Sequence, residues 1–146
     1  MNPIVFQIIL SFFGTIGFSI IFNVPPKELL YCAIVGALGW LIFQLIITNN
    51  EQAYIMATLF SAMIVTFFSR FLSSLRKMPA TVYIIPGIIP LVPGAGIYYT
   101  MFYIVSGDNN TALLTGIESV AIAGSITIGL LIILSLPQKM FRIKRR

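Results

Sequence analysis

The stretch Pro79-Ala-Thr-Val-Tyr-Ile-Ile-Pro86-Gly-Ile-Ile-Pro90-Leu-Val-Pro93-Gly-Ala-Gly96 is apolar enough for hydrocarbon, yet it cannot form one regular helix. Each interior proline removes a backbone hydrogen bond and clashes with the preceding turn, at about 3 kcal/mol apiece. Pro86, Pro90 and Pro93 therefore predict a helix broken between Pro86 and Gly96, with a half-helix on either side. As one straight rod Ala80 to Val105 would reach about 39 Å, more than the roughly 30 Å of hydrocarbon, so chain remains for an unwound piece. Irregular backbone at that depth must be covered by protein or line a water-filled cavity, so the break predicts a cavity. A half-helix starting near Pro93 would place proline in its favoured first turn, with the free amides of Gly94, Ala95 and Gly96 at the positive end of its dipole. That end attracts a carboxylate, and secondary transporters use half-helix termini in this way near the bilayer midplane. The competing reading is a proline-kinked packing helix.

The rest of the chain agrees with a membrane setting. Of 146 residues 58% are hydrophobic and 9% charged, whereas a soluble domain carries about a quarter charged. Charges are absent from Met1 to Pro26, Leu29 to Asn50, Gln52 to Ser69 and Met78 to Gly107, each long enough to cross a bilayer. The expected fold is an all-α membrane protein of one domain, residues 1–146, with five spans near 3–22, 29–47, 53–72, 80–105 and 111–136. The first apolar run lacks a basic leader and a cleavage site, so it reads as a retained span. With no histidine, four acids and one cysteine, metal centres and His-based or paired-carboxylate catalysis lack material, and neither an enzyme nor a cofactor is expected. Cys32, in an apolar segment, reads as an inert buried thiol.

Short connections make adjacent spans antiparallel. Placing the loop with Arg76 and Lys77 in the cytoplasm also places Lys27, Arg70 and the tail of Lys139, Arg142, Lys144, Arg145 and Arg146 there. Glu51 and Asp108 then lie outside, as the positive-inside rule demands, giving N-out and C-in in a bacterial inner membrane. The basic tail reads as a topological anchor on anionic headgroups; without interleaved aromatics it does not suggest nucleic acid.

Glu118 lies about two turns into the fifth span, where an unpaired charge costs on the order of 2.5 to 3.5 kcal/mol. It shares a helical face with Thr111, Ala121, Ser125 and Gly129, a small-residue stripe for close helix approach, so it is expected to point at protein and be buried. There it would exchange a proton or meet a substrate ammonium; a protonated structural acid is the other reading. Gly14 and Gly17, Gly36 and Gly39, and Ala57 with Ser61 read as packing surfaces. Tyr98, close to Gly96, is a candidate to hydrogen-bond a solute, while Tyr99 and Tyr103 read as interfacial anchors.

Pro79-Ala-Thr-Val, then Ile85-Pro-Gly-Ile-Ile-Pro-Leu-Val-Pro-Gly94 and Tyr98-Tyr-Thr-Met101, resembles the small subunit of the split form of the threonine/serine exporter family. Gly17-Phe-Ser-Ile-Ile-Phe-Asn-Val-Pro25 with Lys27, and the small-residue run ending near Pro137, extend the resemblance over the whole chain. It implies proton-driven export of threonine, serine or related small carboxylates, with a larger subunit bearing a cytoplasmic domain as partner. The binding residues to be expected are then Pro90, Pro93, Gly94, Ala95, Gly96, Tyr98 and Glu118, with Glu118 also the candidate for proton coupling. A dicarboxylate exporter subunit and a non-transporting scaffold are the alternatives.

Overall fold

A computed structural model describes residues 3–49 and 53–141, and among these all regular structure is helical. Six α-helices follow in order: α1 (Pro3–Ile21), α2 (Leu29–Asn49), α3 (Tyr54–Arg76), α4 (Thr81–Ile88), α5 (Gly94–Val105) and α6 (Asn109–Leu134). Short 3-10 turns occupy Pro26–Glu28, Ile89–Leu91 and Gln138–Phe141. The helices α1, α2, α3 and α6 are each long and apolar enough to cross a membrane, and α4 with α5 makes a fifth passage bent by 51°. The pair is a broken span and not a re-entrant loop. The hydroxyl of Tyr83 in α4 reaches Glu28 beside the end of α3, whereas α5 runs antiparallel to α6 towards the opposite end, where α6 begins.

The long helices stand in the row α1, α2, α3, α6, with α4 laid over α2 and α3 and α5 leaning on α6. The bend is the step from one groove to the next. The core lies where α2, α3, α4 and α6 meet, around Val35, Phe43, Ala62, Val65, Leu91, Ile122 and Ile126. Gly39 and Gly87 make room for Val65: a Cβ on Gly39 would run into its side chain, and one on Gly87 would stand 3.1 Å from it. Gly36 similarly receives Thr15 of α1. Gly129 presses α6 onto α3, since a Cβ there would sit 2.7 Å from the Leu59 carbonyl. Gly14 and Gly17 depart from the packing expectation: nothing stands within 4 Å of the Cβ positions, because α1 meets α2 through Ser11, Thr15 and Ser19 instead.

Helix breaking follows the prolines, but it starts later than Pro86. Pro86 has no N–H, so the Val82 carbonyl loses its helical donor. The Cys32 thiol donates to that carbonyl at 3.4 Å, and α4 continues to Ile88. Pro90 lies in the 3-10 turn, Val92 is extended, and α5 opens at Gly94 with Pro93 at its N-cap.

One end of the bundle collects Lys27, Arg70, Arg76 and Lys77. Glu28, 5% exposed, accepts from Arg76 Nε at 3.1 Å and from an Arg76 terminal nitrogen at 2.7 Å, while Tyr83 donates to it at 2.7 Å. Arg70 donates to the carbonyls of Ile133 (2.5 Å) and Leu134 (3.2 Å) and lies 4.5 Å over the Phe141 ring, placing a cation at the negative end of α6. At the other end Asp108 caps α6, accepting from the Thr111 hydroxyl at 2.6 Å and amide at 3.2 Å. These bonds hold its carboxyl below the usual carboxylate range. Glu51, the side chain of Lys139 and residues 142–146, which the charge reading also used, lie outside the described part.

Candidate functional site

The break is flanked by two hollows. One, of about 390 Å³, is bounded by the segment Pro90 to Gly96, by Trp40 and Phe43 of α2, Tyr54 of α3, and Thr115, Glu118, Ser119 and Ile122 of α6. The other, of about 550 Å³, lies on the α1 side between Gln7, Ser11, Phe18 and the same break, and is mostly apolar. Trp40, Pro90, Val92 and Gly94 wall both. The smaller hollow falls in the usual size range of small-molecule sites and carries the charged group.

Its donors come from the break. The Gly94 amide, expected to be free, donates to Val92 O at 2.8 Å, and the Ile97 amide donates to Pro93 O at 3.1 Å. The amides of Ala95 and Gly96 remain, as the orphan donors that every helix start carries, and no side chain caps them. Gly96 also sets the distance between α5 and α6: a Cβ there would collide with the Ser119 hydroxyl.

Its acceptors come from α6. Ser119 and Thr115 donate their hydroxyl hydrogens to the carbonyls of Thr115 and Thr111, both at 2.7 Å, so they offer the cavity lone pairs only. Glu118 adds a carboxylate. It looks towards the bundle, on the face of Ile122 and Ser125, but it is exposed and not buried as expected. The space opposite it is cavity instead of a packed side chain.

The structure therefore brings Pro90, Pro93, Gly94, Ala95, Gly96 and Glu118 to one cavity and leaves Tyr98 out. Tyr98 is 65% exposed and stacks edge-on with Tyr99 at 5.4 Å. Two residues along a helix is a rotation of about 200°, so Tyr98 points away from the side on which Gly96 meets α6. Trp40, Phe43, Tyr54, Thr115 and Ser119 were not among the expected residues; no local pattern marks them, since they come from three helices. The tie of Glu28, Arg76 and Tyr83 joins Glu28 to residues 48 and 55 positions away, and its one local sign in the sequence is the Lys27-Glu28 pair at the start of a span.

Comparison with known proteins follows the same lines. A family model described as Threonine/Serine exporter, ThrE matches residues 7–136. An uncharacterized protein of Haemophilus influenzae is 31% identical over 105 residues, which is 72% of this chain and 35% of that protein. The chain thus spans about a third of the length of this curated relative. No solved structure matches. Five membrane passages, a proline-broken fourth span beside a cavity that holds Glu118, and a family match over nearly the whole sequence agree: the chain belongs to the threonine/serine exporter family of membrane transporters.

Proposed function

We propose that this chain is a subunit of a secondary transporter that exports threonine, serine or related small carboxylates across the bacterial cytoplasmic membrane. The observation that carries the reading is the 390 Å³ cavity, which sets two free amides at a half-helix start against a carboxylate on the facing helix. The Ala95 and Gly96 amides bind the substrate carboxylate, and Glu118 binds its ammonium or passes the coupling proton. The basic end faces the cytoplasm, which puts the N-terminus outside.

A second membrane-embedded subunit, larger and with a cytoplasmic domain, completes the transporter. One observation supports a partner: α5 is an apolar helix with no buried residue, so most of its surface is left uncovered by this chain. Rocking of the two subunits would then expose the cavity to either side in turn.

The test is efflux of labelled threonine, and separately of a dicarboxylate, from liposomes holding the chain together with the membrane protein that co-purifies with it. Glu118→Gln removes a charge-assisted bond of about 2 kcal/mol and is expected to weaken apparent threonine affinity roughly 30-fold. Unchanged export by that variant would remove Glu118 from the mechanism. Absence of any carrier-dependent flux from the assembled complex would favour a scaffold.

A further inference from the structure

The aromatic side of the cavity has no part in the reading above. Trp40 and Phe43 lie with ring centroids 5.1 Å apart, and Phe43 meets Tyr54 edge-on at 5.0 Å, so three rings from α2 and α3 pack as one cluster in which buried Phe43 braces the more exposed Tyr54. Tyr54 is 41% exposed and lines the cavity with Glu118. Among the described residues its hydroxyl has no hydrogen-bond partner. Aromatic faces carry negative potential and hold cations within about 6 Å of the ring centre, tryptophan best and tyrosine next.

The groups around the cavity therefore divide by sign. The amides at the break are donors suited to an anion. Glu118, the lone pairs of Thr115 and Ser119, and the exposed ring of Tyr54 all favour a positive, donor-rich group. A small zwitterion matches both sides at once. A hydroxy acid of the same carbon skeleton matches only the amide side, and a dicarboxylate sets its second charge against Glu118 and the rings.

We infer that Tyr54 is a specificity-determining residue, whose exposed ring, braced by Phe43 and Trp40, helps Glu118 select substrates that carry an ammonium group. The inference rests on the reading of this cavity as the amino-acid site and adds to it the element that rejects deaminated analogues. The ring and not the hydroxyl supplies the selection.

The experiment measures KM for threonine and for 2,3-dihydroxybutyrate, its analogue with hydroxyl in place of the amine, in liposomes of the assembled complex. Wild-type protein is expected to prefer threonine, and Tyr54→Phe to keep that preference. Tyr54→Leu should raise KM for threonine about tenfold and leave that for the analogue unchanged. The inference is overturned if the leucine variant keeps the wild-type preference, if both KM values rise together, or if phenylalanine loses as much as leucine. Should Tyr54→Leu fail to assemble, Tyr54→Trp decides: a sharper preference for threonine supports the role, and an unchanged or weaker one overturns it. Wild-type protein that moves neither solute sinks the amino-acid reading itself, and this inference with it; discrimination that survives in Tyr54→Leu sinks this inference alone.

Discussion

Glu28 can be charged where it is almost fully covered because Arg76 presents two nitrogens to it and Tyr83 a hydroxyl. The three residues belong to the 3-10 turn before α2, the end of α3 and the first turn of α4, so one carboxylate ties three elements together. Replacing Tyr83 by phenylalanine keeps the ring in its fully buried place and deletes one bond to a charged acceptor. That substitution should cost about 2 kcal/mol, seen as a lower melting temperature in detergent. Unchanged melting would mean that Arg76 alone satisfies Glu28. At this scale the sequence was only partly readable. Glu118 stood out because a charge inside an apolar run is costly wherever the fold places it. Its exposure did not, because that depends on what the facing helices leave empty. Tyr98 lies off the cavity for a related reason: the phase of α5 is fixed by where the helix starts, and proximity in sequence to Gly96 says nothing about the side of the helix.

Among the elements, the broken span was the most legible part of the chain, since the penalty on interior proline is local and needs no knowledge of neighbours. The position of the break was less so. Pro86 sits inside α4, and the carbonyl it deprives is met by Cys32, 50 residues from Val82 in sequence. A partner so far along the chain cannot be read from the segment itself. The rings of Trp40, Phe43 and Tyr54 were hidden likewise, because an aromatic residue in an apolar helix looks alike whether it meets lipid, headgroup or cavity. Pro90→Ala tests what the break is for. It returns an N–H that can pair with the carbonyl of Pro86 and lets α4 grow past Ile88. Efflux per assembled complex should fall as the Ala95 and Gly96 amides lose their place. A variant that transports as well as wild type would leave the prolines with a packing role alone.

For the whole molecule, charge patterning foretold what the structure repeats: Lys27, Arg70, Arg76 and Lys77 share one end, and Asp108 caps α6 at the other. Cys32 is fully buried and is the only cysteine, so introduced thiols can report on each end against a silent background. In intact cells a membrane-impermeant maleimide should label Asn110→Cys and spare Lys27→Cys, with the pattern reversing in inverted vesicles. Labelling of Lys27→Cys from outside would invert the orientation proposed here. The number of passages was legible because hydrocarbon thickness sets a length that apolar runs must meet. The step of the fourth passage from one groove to the next was not, since it arises from how six helices share space.

That step has a geometric consequence. Trp40, Pro90, Val92 and Gly94 act as a bulkhead between two compartments, so a sideways shift of the break enlarges one as it shrinks the other. The interior can thus change shape at nearly constant total volume, with no new void to open and few dispersion contacts to forfeit.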